Sequence, residues 1–143
     1  MKKYLVCFFL LNTTFLVLSG QHDFLMKKCI LSVGPSSKII KDFNIQMGEK
    51  HSSCEFRYKE NLSLRKRTKY RFTMCTADNS KGQLILELRD QENKTVLSSY
   101  DQNTGTIYSN VDFVCNKNGI YQICFDFTDG QSGSGVSIVS MIQ

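Results

Sequence analysis

The chain has 143 residues, a formal net charge of +5, six cysteines and no tryptophan. Its length suits one domain with one hydrophobic core. Because the excess of positive charge is small, the composition excludes no ordinary globular class, and we expect no nucleic acid among the partners.

The first twenty residues have the composition of a signal peptide. Lys2 and Lys3 are followed by an apolar stretch over 4–18, and Gly20 ends the segment with a small residue that signal peptidases prefer. The apolar stretch is shorter than the ~20 residues of a membrane span. We predict a signal peptide over 1–20 and an exported protein without a transmembrane span after cleavage. It would be periplasmic, on the outer-membrane surface or secreted.

Residues 21–52 have the least regular pattern. Residues 29–33 suit a short strand, and the apolar cluster over 38–45 suits a strand or a helical turn. The segment is therefore either an N-terminal arm or a set of extra strands. If it is an exposed arm, it offers apolar docking residues to a partner; if it forms core strands, it does not. These residues are Ile39, Ile40, Phe43 and Ile45.

From residue 53 to the end, the pattern is that of β-structure. Apolar and polar residues alternate over 54–59, over 70–74 and within 83–90, so each strand has one apolar face. Turn-forming residues separate further strands predicted at 95–100, 106–114, 120–127 and 136–142. We predict an all-β domain over 53–143, an antiparallel β-sandwich of seven to eight strands with a jelly-roll-like architecture.

Part of this region resembles the GOLD domain of the emp24/p24 family. Residues 119–125 read Gly-Ile-Tyr-Gln-Ile-Cys-Phe, which is similar to the family's G-x-Y-x-x-C-F strand, and residues 83–97 resemble its preceding hairpin. Asn93 stands where the family has glycine. The resemblance covers about residues 54–128 and implies a disulfide between Cys124 and Cys54.

The same family continues into a coiled coil, a transmembrane helix and a sorting tail, which we do not find here. We therefore do not expect a cargo-receptor role. As a stand-alone domain with a leader, the chain is similar to small exported envelope proteins of Bacteroidetes-type bacteria.

Five cysteines follow the predicted leader: Cys29, Cys54, Cys75, Cys115 and Cys124. Cysteines of exported proteins pair as disulfides by default, and an odd number leaves one over. Beside the implied bridge, Cys75 and Cys115 at predicted strand ends are the next pair, and Cys29 is the expected odd thiol. No Cys-x-x-Cys pair is present, so we expect neither a zinc site nor another cofactor.

Residues 57–71 contain seven basic side chains: Arg57, Lys59, Arg65, Lys66, Arg67, Lys69 and Arg71. Such a cluster binds an acidic partner protein or a phosphate-bearing glycan. More often such a cluster is a solvated sheet edge, whose lysines resist pairing with another sheet. The sequence leaves both interpretations open.

No motif for catalysis is present: we find no Ser-His-Asp arrangement, phosphate loop or nucleophile elbow. We expect a non-catalytic protein–protein interaction module, an accessory subunit of an envelope or secretion assembly whose partner is another envelope or secreted protein. The alternative is a small carbohydrate-binding module that stacks sugars on tyrosines. The candidates are Tyr58, Tyr100 and Tyr108.

Overall fold

The structure is a computed structural model that describes residues 17–50 and 55–143. These residues form one α-helix, eight β-strands and a short 3₁₀ turn at Thr128–Gly130. In chain order the helix and strands are α1 (Val17–Val33), β1 (Ser37–Met47), β2 (Tyr58–Leu64), β3 (Lys69–Thr76), β4 (Leu84–Arg89), β5 (Thr95–Ser98), β6 (Asn110–Val114), β7 (Gly119–Phe127) and β8 (Gly133–Ile142).

The strands form two four-stranded antiparallel sheets, ordered β1-β8-β3-β6 and β2-β7-β4-β5. Each strand of the first half pairs with its counterpart from the second half: β1 with β8, β2 with β7, β3 with β6 and β4 with β5. This is the pairing of a long hairpin folded over on itself, which is a jelly roll. The predicted all-β sandwich is therefore confirmed.

The core lies between the two sheets and is built by alternation along the strands. Leu84, Leu86 and Leu88 of β4 are each at most 1% exposed, as their predicted common face requires. Phe125 of the neighbouring strand β7, which pairs with Leu86, and Phe72 of the other sheet are fully buried in the same core. Aromatic and aliphatic side chains from both sheets thus fill one continuous interior.

Helix α1 covers part of the outer face of the β1-β8-β3-β6 sheet. Leu25, Cys29 and Val33, spaced four residues apart on one helical face, pack against Val136 and Ile138 of β8. The strand predicted over residues 29–33 is therefore wrong. Over so few residues, an apolar run looks the same in the sequence whether it forms a buried strand or the buried face of a helix. Periodicity alone therefore does not distinguish the two.

Strand β1 belongs to the sandwich, so residues 37–47 of the N-terminal segment form an extra strand rather than an exposed arm. Phe43 and Ile45 alternate into the core and are 3% and 1% exposed. They are not available to a partner, contrary to the docking role considered for an exposed arm. Ile39 and Ile40 keep 40% and 39% of their surface exposed.

The other strands predicted from residue 70 onward are confirmed in place with shifted ends, but the strand predicted over 54–59 overlaps β2 only at Tyr58 and Lys59. Strand β2 begins at Tyr58 rather than near residue 54, and β6 covers only the last part of the predicted 106–114 segment. At Arg57 the backbone N–H donates to the Asp126 carboxylate, and the guanidinium donates to Asp126 and to the Gln131 carbonyl. The alternation of apolar and polar residues does not reveal hydrogen bonds to side chains so far away in the sequence.

The cysteine pairing differs from the prediction. Cys29 is bonded to Cys75, so Cys29 is not the odd thiol and Cys75 does not pair with Cys115. Cys115 and Cys124 are buried free thiols with no disulfide partner among the described residues. Cys54 lies outside those residues, so its bridge to Cys124 stays a prediction. Most of the predicted signal peptide lies outside them as well.

Candidate functional site

Three connections between strands meet at one end of the sandwich. They are the β2–β3 connection (65–68), the β4–β5 turn (90–94) and the β6–β7 turn (115–118). The first and last are brought together because Leu64 pairs with Gly119 across the β2–β7 ladder. The second joins them through the Gln91 side-chain amide, which donates to the Ile120 carbonyl at 3.0 Å.

The predicted basic cluster does not stay together in the fold. Lys69 and Arg71, on the outer face of β3, both pair with Asp112 of β6, at 3.2 and 2.7 Å. The hydrogen bonds from Arg71 are the main reason that the pKa of Asp112 lies below its usual value, and Lys69 adds to this effect. These two cations are neutralised locally and are poor candidates for partner binding.

Two more members of the cluster are also paired, on the outer face of the other sheet. Arg57 contacts the buried carboxylate of Asp126 at 2.7 Å. Lys59 pairs with Glu55 at 3.1 Å, and this hydrogen bond lowers the pKa of Glu55. The odd-numbered residues of β2, such as Lys59, and the even-numbered residues of β7, such as Asp126, point away from the core.

The remaining members, Arg65, Lys66 and Arg67, form the β2–β3 loop, which we name the basic loop. All three are exposed, and none forms an ion pair with a carboxylate in the described part of the chain. Lys117, on the adjoining β6–β7 turn, is exposed and likewise unpaired there. Four positive side chains therefore face solvent on neighbouring turns.

The backbone of the basic loop is held firmly. Its three consecutive N–H groups donate, in order, to Tyr70 Oη at 2.9 Å, to Asn118 Oδ1 at 2.6 Å and to the Cys115 carbonyl at 2.8 Å. Arg67 has a left-handed backbone with φ of 64°. This conformation costs free energy for a non-glycine residue and persists only where surrounding contacts stabilise it. The loop thus presents its side chains from a rigid base.

The groups beneath the loop are themselves buried. Tyr70 and Cys115 are 2% and 1% exposed. The Cys115 thiol lies 3.6 Å from Tyr121 Oη, which donates to the Lys117 carbonyl at 2.9 Å. Burial, together with the contact to Cys115, raises the pKa of Tyr121 to about 12, so the phenol stays a hydrogen-bond donor.

Two apolar side chains flank the cations. Val114, at the end of β6, is 63% exposed, and Ile120, at the start of β7, is 52% exposed. Val114 is opposite Lys69 and Ile120 is opposite Ser63 in their ladders. This end of the molecule therefore combines positive charge with exposed apolar surface.

A cavity of about 560 Å³ opens at the same end, between the β4–β5 and β6–β7 turns. Its wall includes residues of both turns and the rings of Phe113 and Tyr121. No sequence pattern pointed to it, because each turn supplies only a few ordinary polar residues. Their meeting is a consequence of strand order.

The predicted stacking tyrosines do not form one platform. Tyr58 packs its ring against Phe43 and Phe125, with centroids 6.3 and 5.8 Å away, and so belongs to the edge of the core. Tyr100 pairs with Ile107 and lines a smaller cavity of about 230 Å³. Only Tyr108, of these three, is substantially exposed, at 49%.

Among residues 17–50 and 55–143, no group of three His, Cys, Asp or Glu side chains is placed to hold a metal ion. No helix in this part of the chain has the length and apolar character needed to span a membrane. No protein-family model matches the sequence, and a search of curated proteins gives no significant match.

Proposed function

We propose that the chain is an exported, non-catalytic interaction module that docks onto an acidic surface of another protein through the basic loop. The observation that carries the proposal is the set of three neighbouring cations without carboxylate partners among the described residues, on a backbone held by three hydrogen bonds. A preorganised charged loop loses little conformational freedom when a partner binds. Complementary charge speeds and orients the encounter.

The surroundings of the loop favour a protein partner. Protein interfaces combine arginine and apolar side chains in a central patch with a polar rim. Val114, on the outer face of β6, and Ile120, on the outer face of β7, supply exposed apolar surface on either side of this end of the sandwich. A ligand recognised by charge alone would not need these two exposed side chains.

Two further observations support the setting of the proposal. A disulfide such as Cys29–Cys75 is typical of proteins that mature in an oxidising compartment, which agrees with the predicted leader. The resemblance to GOLD domains agrees with a non-catalytic sandwich. We therefore place the partner in an envelope or secretion assembly.

The test compares two double variants that remove equal charge. Arg65→Ala/Lys66→Ala changes the basic loop, whereas Lys27→Ala/Lys38→Ala removes two exposed lysines from α1 and β1. Tagged chains are purified from their native source without reductant, and co-purifying proteins are quantified by mass spectrometry. We expect an acidic protein at constant stoichiometry with the wild type and the Lys27/Lys38 variant, and its loss with the loop variant.

Salt separates this mechanism from apolar docking. Because the loop is exposed, attraction to it is screened at a Debye length of about 8 Å in physiological salt and more strongly above it. Binding that is equal in both double variants, or that does not weaken with added salt, would contradict the proposal. Circular dichroism of each variant verifies that the sandwich is intact.

A further inference from the structure

We propose that the cavity between the β4–β5 and β6–β7 turns binds an uncharged carbohydrate of one or two sugar units. Its volume of about 560 Å³ lies within the usual range for small-molecule sites, roughly 300–1,000 Å³. This site is distinct from the basic loop, and it does not include the tyrosines that the sequence suggested for stacking.

The charges of the cavity wall balance. Asp90 and Glu92 contribute two carboxylates, and Lys94 and Lys117 contribute two ammonium groups. None of the four forms an ion pair among the described residues. The wall carries equal numbers of both charges and so has no net charge of its own, which suits a neutral polar molecule.

The hydrogen-bonding groups of the wall match hydroxyl groups. Carboxylates only accept and ammonium groups only donate, while the amide of Asn116 does both. A sugar hydroxyl donates one hydrogen bond and accepts others, so neighbouring hydroxyls can satisfy both kinds of group at once. The side chains of Glu92 and Asn116 have no hydrogen-bond partner in the described residues and are available to a ligand.

The turn that carries the carboxylates is preorganised. One oxygen of Asp90 accepts from the backbone N–H groups of Glu92 and Lys94, both at 2.9 Å. Asn93 takes the left-handed conformation, with φ of 61°, and Gln91 ties the turn to β7 at Ile120. The second Asp90 oxygen forms no hydrogen bond within the described residues, so it can accept from a bound hydroxyl.

Aromatic rings close the inner side of the cavity. Phe113 is half-buried and lies edge-on to Tyr121, with ring centroids 5.7 Å apart. Small-molecule sites combine such apolar walls with a few fixed polar groups. The C–H face of a sugar ring supplies the apolar surface that this wall can cover, while its hydroxyls reach the turn.

The experiment uses the purified chain with its disulfide intact and a panel of named probes. Saturation-transfer difference NMR is recorded with glucose, galactose, mannose, N-acetylglucosamine and their β-linked disaccharides, and a sulfated heparin disaccharide serves as the anionic probe. Titration calorimetry follows for any sugar that gives a signal. We expect at least one neutral sugar to bind and the heparin disaccharide to give no signal at this site.

A pair of double variants locates the site. Glu92→Ala/Asn116→Ala removes two exposed cavity groups that make no contact needed for folding, and we expect it to weaken binding by about tenfold or more, a change of ~1.4 kcal/mol. Arg65→Ala/Lys66→Ala alters the neighbouring basic loop and should leave sugar affinity unchanged. The second variant is also the test of partner docking, so either proposal can fail while the other stands.

Three outcomes would overturn the inference. One is a panel in which no neutral sugar binds. The others are preference for the sulfated probe and sugar binding that survives Glu92→Ala/Asn116→Ala. Chemical-shift changes confined to residues of 90–96 and 113–121 on titration with the bound sugar would support it.

Discussion

Cys29 in helix α1 and Cys75 in strand β3 are joined by a disulfide, with their Cα atoms 5.7 Å apart. Phe72 and Met74 of β3 point into the core. Because successive side chains of a strand alternate, Cys75 points to the outer face of the sheet. The bond therefore fastens the helix to the outside of the sandwich, above Val136 and Ile138.

Reduction of this disulfide should lower the free energy of unfolding. The bond joins positions 46 residues apart, and constraining a loop of this length in the unfolded chain contributes about 4 kcal/mol in the chain-entropy model. Urea unfolding with and without dithiothreitol measures the difference. In Cys29→Ala/Cys75→Ala any remaining effect of the reductant would report a second disulfide, such as Cys54–Cys124, and an unchanged free energy in the reduced wild type would contradict the Cys29–Cys75 bond.

The two buried thiols should resist alkylation in the folded protein. Burial raises the pKa of the Cys124 thiol, which disfavours the reactive thiolate, and Cys115 is 1% exposed. Iodoacetamide followed by peptide mapping should label both positions only after denaturation. Recovery of a Cys54–Cys124 linked peptide without reductant would instead show that the family-like bridge forms and that Cys124 is not free.

Asp126→Ala should be among the most destabilising surface-facing substitutions. The carboxylate is 7% exposed, accepts from Arg57 at 2.7 and 2.9 Å and from the Phe127 N–H at 2.7 Å, and lies 3.6 Å from Lys50. Its removal leaves the partly buried Arg57 and Lys50 without their carboxylate, at a cost of up to about 3 kcal/mol. Chemical denaturation measures the loss.

Glu49→Ala is the control for Asp126→Ala. Glu49 pairs with Lys81 at 3.1 Å, but both side chains are more than half exposed, and exposed pairs contribute little. A loss of stability for Asp126→Ala no larger than for Glu49→Ala would refute the structural role of the buried pair.

Asp112→Asn should change how stability depends on acid. The pKa of Asp112 is lowered in the folded protein by Arg71. Its contribution is therefore fully present above the unfolded pKa, about 3.9, and is lost as the pH falls through the lower folded pKa. The difference in unfolding free energy between wild type and Asp112→Asn should be constant above about pH 5 and shrink below about pH 4.

Urea midpoints from pH 2 to 7 measure this dependence. Asp42→Asn is the control, since Asp42 is exposed and forms no ion pair among the described residues. That variant should follow the wild-type pH curve. If Asp112→Asn also follows it, the pair with Arg71 does not contribute in solution.

The strands predicted from alternation over 70–74 and 83–90 were predicted well from the sequence, whereas the one over 54–59 was placed too early in the chain. Leu84, Leu86 and Leu88 are buried as expected because a strand turns successive side chains to opposite faces, whatever lies next to it. The helix over Cys29–Val33 was not predicted. Its apolar residues suit either structure, and only packing against β8 distinguishes a helix face from a strand.

The candidate site was predicted in part. The basic residues of 57–71 were identified, but the sequence did not show which of them remain unpaired. Arg71, for example, pairs with Asp112, which is 41 positions away and becomes its neighbour only through the β3–β6 register. The cavity at the β4–β5 and β6–β7 turns was not predicted at all. Residues from three connections that are far apart in the chain form this end of the molecule. A local sequence pattern does not show that these connections lie side by side.

The sequence by itself determined the class of the protein, a β-sandwich with turn-rich connections, because alternation and turn formation are properties of neighbouring residues. The tertiary structure alone decided which cysteines bond, which cations keep their charge exposed and which turns enclose a cavity. Each of these depends on strand order and register, and these are set by packing between residues far apart in the chain.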